Sequence, residues 1–150
     1  MNRKGWQTAV TVLIAVNLAF IWGNSAMAGE TSSQVSGGVM ALLHRLLPFL
    51  PQEEWVHGLI RKLAHFSEFA ALGLLCASLS QLRAGRIRLG LVGAGLAAAC
   101  VDETIQLYVP GRASSLLDVW IDTSGFVFGV ALLLLGYHII QNKQVWRTSK

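Results

Sequence analysis

Four long apolar runs, broken by short polar or basic stretches, set the pattern of the chain. They extend from Trp6 to about Trp22, from Leu63 to Leu82, from Leu89 to Val109 and from Val119 to about Ile140. A helix of about 20 largely apolar residues crosses the hydrocarbon core of a bilayer. Each run therefore predicts a transmembrane helix. The whole predicts an all-α fold, an integral membrane bundle of four transmembrane helices. The basic segment RAGRIR is short and joins the second and third runs as a helical hairpin. Between the first two runs the chain is polar at first (GETSSQVSGG) and then apolar from Val39 to Leu50, VMALLHRLLPFL. That stretch is too short to span a bilayer. It predicts an amphipathic segment in the membrane interface or over the helix ends, with an ordinary folded loop as the alternative. The expected divisions are a first transmembrane helix within 1–28, an extracytoplasmic loop over 29–62, a three-helix membrane core over 63–140 and a basic cytoplasmic tail over 141–150.

Composition points the same way. Of 150 residues, 53% are hydrophobic and only 13% charged, with a mean hydropathy of +0.52. A typical soluble domain carries about 25% charged residues. The formal net charge is +4, but the basic residues flank the apolar runs. That distribution fits membrane orientation and gives no reason to expect a nucleic-acid partner. Threading four spans puts Arg3, Lys4, Arg83, Arg86, Arg88, Lys143, Arg147 and Lys150 on one side, and Arg45, Arg61, Lys62 and Arg112 on the other. The positive-inside rule then predicts a multi-pass protein of the cell membrane with both termini cytoplasmic. Ala26-Met27-Ala28 ahead of Gly29 also fits a signal-peptide cleavage pattern; cleavage there leaves the remaining topology unchanged. Cys76 and Cys100 fall inside apolar runs and read as small buried fillers, and one pair does not establish a disulfide.

The acids break the apolar pattern. All eight, Glu30, Glu53, Glu54, Glu68, Asp102, Glu103, Asp118 and Asp122, lie outside the predicted cytoplasmic segments. At a rise of about 1.5 Å per residue, Asp102 sits roughly 20 Å along the third span, in its outer third. Glu68 and Asp122 lie about one turn into spans that enter from the same side. At about 100° per residue, Asp102, Glu103 and Gln106 share an arc of about 100°, and Lys62, His65 and Glu68 one of about 120°. Asp118, Asp122, Gly125 and Gly129 form a stripe about 60° wide, whose GxxxG spacing lets another helix approach closely. An ionisable group in a span costs roughly 2.5–3.5 kcal/mol near the bilayer centre, so such groups pair or line a polar cavity. Two readings stay open. One is a ligand site; the other is a bracing network in which Lys62 or Arg112 pairs with Glu68 or Asp122.

Three of these segments, RKLAHFSEFAALGLL, DETIQLYVPGR and DVWIDTSGFVFG, together resemble the VanZ-like membrane protein family. Its pattern is a basic residue, His and an aromatic at the head of one helix, a D-E-x-x-Q-x-x-x-P-G-R turn, and a D-V-x-x-N-x-x-G-x-x-x-G helix. The matching positions are Lys62, His65, Glu68, Glu103, Gln106, Pro110, Gly111, Arg112, Asp118, Gly125 and Gly129, and SSQVSGGV is similar to the family's polar Gln-Ser segment. The resemblance covers roughly residues 30 to 135. Asp122 stands where the family usually has Asn, and Phe69 where it usually has Tyr. The family's founding member is associated with low-level teicoplanin resistance, which implies a role at the cell envelope without defining a chemistry.

The expected ligand-binding set is Lys62, His65, Glu68, Asp102, Glu103, Gln106, Arg112, Asp118 and Asp122, with membrane lipids, a lipid-linked envelope precursor or a glycopeptide as partners. Arg112, after the Pro-Gly corner, is expected at the membrane surface facing a phosphate or carboxylate. An enzyme acting on a lipid-linked phosphate is the alternative, with His65, Glu68 and Glu103 as acid–base candidates. A structural or accessory subunit is the third class. Asp118 and Asp122 at i, i+4 could hold a divalent cation, but no complete metal signature is present and no metal ligand is assigned. No Gly-rich phosphate loop appears and no cofactor is expected.

Overall fold

The computed structural model describes residues 2–27, 29, 37–38, 41–42, 45, 54–88 and 90–148, with side chains at all of these except 54, 57 and 142–148. The described residues hold four long α-helices and no strand: α1 (Arg3–Ser25), α2 (Glu54–Ala84), α3 (Gly90–Leu107) and α4 (Leu116–Thr148). Each contains a stretch long and apolar enough to cross a membrane, Arg3–Ser25, Gly58–Ala84, Gly90–Leu107 and Leu116–Gln141, with mean hydropathies from 1.2 to 1.8. Only 11% to 28% of the residues in these stretches are buried. Apolar side chains such as Val16, Phe20, Leu134 and Ile140 point outward instead, as a bundle solvated by lipid requires. The chain is a multi-pass membrane protein. The expected amphipathic segment over 39–50 lies, apart from positions 41, 42 and 45, outside the described residues.

Polar contacts at the helix ends fix the topology. Asn2 caps α1 through its Oδ1, which accepts from Gly5 N at 2.8 Å. Arg3 Nε and Gln7 Nε2 then donate to the Leu82 carbonyl at 2.9 and 2.8 Å. The start of α1 thus lies beside the end of α2, and the two run antiparallel. Ser115 caps α4, its Oγ accepting from Leu117 N at 3.1 Å, with Asp118 in the first turn where the helix dipole favours an acid.

The close pair is α2 and α4. A Cβ on Gly125 would run into the Phe66 carbonyl, and one on Gly129 into the Ala70 carbonyl; Gly73 of α2 lies in the same way on the Phe126 carbonyl. In lipid, association depends on van der Waals packing, and missing side chains let backbones meet. Around this seam Ile21, Phe69, Leu72, Ala77, Ala99, Phe126 and Val130 form the apolar core. Phe69 is fully buried there, a packing position. Both cysteines are free thiols: Cys76 is half-buried, whereas Cys100, expected as a buried filler, is exposed on the outward side of α3.

Candidate functional site

At one end of the bundle α1 and α3 finish while α2 and α4 begin, and here the acids meet. Asp102 and Glu103 are buried at 0% and 5% exposure, and Asp122 at 1%. Gln106, one turn beyond Asp102 on α3, is the hub. Its Nε2 lies 2.9 Å from Asp102 Oδ2, 3.3 Å from Glu103 Oε1 and 3.3 Å from Ser25 Oγ. Its two hydrogens thus face three acceptors on α3 and α1. The other oxygen of Glu103, Oε2, accepts from Ser115 N at 2.8 Å. The acid therefore ties the end of α3 to the start of α4.

From α2, His65 Nδ1 stands 3.8 Å from Asp102 Oδ2, past hydrogen-bond distance. Glu68 Oε1 accepts from Asn24 Nδ2 at 3.2 Å. Lys62 Nζ is 2.9 Å from Asp118 Oδ1, with the two side chains 36% and 20% exposed. Of the pairings expected for a bracing network, Lys62 thus takes Asp118 rather than Glu68 or Asp122. The pair is partly buried.

Arg112 is not presented at the surface. The Pro110-Gly111 corner, with Gly111 at φ +76, turns the chain back so that the half-buried guanidinium grips α1. Nε donates to the Met27 carbonyl at 3.2 Å and Nη2 to the Asn24 carbonyl at 2.6 Å. Both carbonyls lie where α1 ends, and Gly29 N adds a bond to the Pro110 carbonyl at 3.1 Å. Burial pushes the Arg112 pKa down from its ordinary value and Arg61 adds to the effect, while Asp102 and Glu103 pull it up; the group remains a cation.

A cavity of about 10 Å³, room for one water or small ion, lies among Arg61, Lys62, His65, Glu103, Gln106, Asp118, Ile121 and Asp122. Several buried oxygens nearby have no hydrogen-bond partner: Glu68 Oε2, Asp102 Oδ1 and both oxygens of Asp122. One ligand-capable atom from each of His65, Asp102 and Asp122 lies within 4.8 Å of the others. Asp118, the expected i, i+4 partner of Asp122 for a cation, faces Lys62 instead.

All nine residues expected at the site thus meet at one end of the bundle, but in different roles. Three more contribute that sequence reasoning missed: Asn24, Ser25 and Arg61. The only signal for the first two was a polar pair closing an apolar run, and Arg61 was read merely as a topological charge. Fold and site together define a four-helix membrane protein with a polar cluster buried at one end. The chain belongs to the VanZ/LLP1 family, whose profile matches residues 10–139. No curated protein and no solved structure matches it.

Proposed function

We propose that the polar cluster binds the phosphate-bearing headgroup of an anionic lipid or a lipid-linked envelope precursor, on the extracytoplasmic side of the cell membrane. The observation that carries this reading is the placement of Arg61 and Lys62 on the wall of the polar cavity at the bundle's end. Headgroups lie at that depth when the four spans cross a bilayer. A guanidinium offers phosphate a planar pair of donors, and an ammonium a point charge. The cavity holds no more than a water or ion, so the headgroup sits at its mouth. With Arg112 engaged on α1, Arg61 and Lys62 take over the anion recognition first assigned to Arg112. The side of the membrane follows from the Lys and Arg distribution. Mass spectrometry of lipids retained by the purified protein tests this. Wild type is expected to carry a phosphate-bearing lipid that the Arg61→Gln/Lys62→Gln variant loses. Identical lipid profiles would overturn the proposal.

A second reading is favoured by the unpartnered oxygens of Asp102 and Asp122. Buried polar groups without partners are costly, and a network that only braces the helices would have paired them. In this reading the protein acts on the bound phosphate, with His65, Glu68 and Glu103 as acid–base groups. Lipid-precursor profiles of wild type and Glu68→Gln cells are then expected to differ; matching extracts would count against catalysis.

A further inference from the structure

The unpartnered oxygens lead to a specific occupant. Asp102 and Asp122 are 0% and 1% exposed, yet Asp102 Oδ1 and both Asp122 oxygens bond nothing. They come from different helices, α3 and α4, and α2 adds His65. The three residues offer ligand atoms within 4.8 Å of one another, and His65 Nδ1 stands 3.8 Å from Asp102 Oδ2. Two donors each about 2.1 Å from one ion at a tetrahedral angle lie about 3.4 Å apart. The observed gap is too long for a hydrogen bond and close to what a shared ion needs. We infer that His65, Asp102 and Asp122 form a binding site for one divalent transition-metal ion.

Charge and chemistry agree. Glu68, Asp102, Glu103 and Asp118 all lie near enough to act electrostatically on Asp122. These five carboxylates face three cations, Arg61, Lys62 and Arg112, on or beside the same cluster. One imidazole with two carboxylates suits zinc or manganese, whereas magnesium and calcium favour all-oxygen sets. Gln106 donates to Asp102 Oδ2 at 2.9 Å, the outer contact that commonly orients a ligating carboxylate. Three protein ligands leave at least one coordination position open, and His65 and Asp122 line the same cavity as Arg61 and Lys62. A phosphate oxygen at the mouth would therefore meet the ion as well as the two cations. The metal site is measured without any lipid, so it stands or falls separately from the headgroup proposal.

The discriminating variant is Asp122→Asn, nearly isosteric and without the charge. Full-length protein, stripped with chelator in detergent, is titrated calorimetrically with Zn²⁺, Mn²⁺ and Mg²⁺. Co²⁺ is added separately to read d–d absorption from bound ligands. Wild type is expected to bind about one Zn²⁺ or Mn²⁺ per chain and to prefer both over Mg²⁺. Outer-contact changes alone cost about 10–100-fold in affinity, so Asp122→Asn and His65→Ala are each expected to lose at least tenfold and the Co²⁺ spectrum. Circular dichroism and size exclusion confirm folding; if His65→Ala fails there, Asp122→Asn carries the test alone. Wild type without a saturable site overturns the inference. So does Zn²⁺ affinity that survives Asp122→Asn, which would locate the ion at the exposed Cys100 or elsewhere.

Discussion

Gln106 shows how one side chain can hold several acids at once. Its single amide nitrogen reaches Asp102, Glu103 and Ser25, so truncation strands acceptors on two helices. Leaving a buried partner unsatisfied costs about 1–3 kcal/mol. Gln106→Ala is expected to destabilise by that order, read as a lowered Tm in detergent; an unchanged Tm would rule the hub out. Arg112 poses a different problem. Its two carbonyl contacts depend on the planar fork, so Arg112→Lys keeps the charge and loses the geometry. Faster proteolysis at the α1 end is expected for that variant, with wild-type cleavage rates as the contrary result. At this scale the sequence named the acids and the histidine but not their partners. A carboxylate inside a span is conspicuous by its cost, while Asn24 and Ser25 look like any polar close to an apolar run.

Among the elements, the α2–α4 seam was the most legible. The GxxxG stripe on α4 predicted a close helix contact, and Gly125 and Gly129 meet the Phe66 and Ala70 backbone. Because a Cβ at 129 points at backbone, little can yield. Gly129→Leu is expected to cost at least the about 1–3 kcal/mol typical of overpacking, seen as aggregation or a broadened size-exclusion peak. A monodisperse Gly129→Leu protein would refute the seam. Element boundaries were less legible, since hydropathy marks where a chain enters lipid, not where its helix begins. α2 starts at Glu54 rather than Leu63, and α4 runs on to Thr148 past the apolar run's end at about Ile140. α3 stops at Leu107, short of the apolar run's end at Val109. There Tyr108 N and Val109 N bond back to Ile105 and Gln106 carbonyls as the chain tightens toward Pro110.

The whole molecule is polarised. Acids gather at the end described above, while Arg3, Arg83, Arg86 and Arg88 lie at the other, around a cavity of about 710 Å³ between α1, α2 and α3 that the last three help line. If the basic end is cytoplasmic, a reporter fused after Lys150 is expected to be active only when the enzyme functions in the cytoplasm. Activity of a periplasmic or surface reporter would invert the orientation.

The grip of Arg112 on the end of α1 reaches furthest. The family match starts at residue 10, inside a helix that could be read as a removable leader. Yet that helix delivers Asn24 to Glu68 and Ser25 to Gln106, and the Pro-Gly corner is fastened to its last carbonyls. Severed after Ala28, the chain would keep every acid and lose the side chains and carbonyls of the α1 end that hold Glu68, Gln106 and Arg112. The first helix is thus a fastening of the acidic cluster, supplied by the very segment that sequence alone would allow a peptidase to discard.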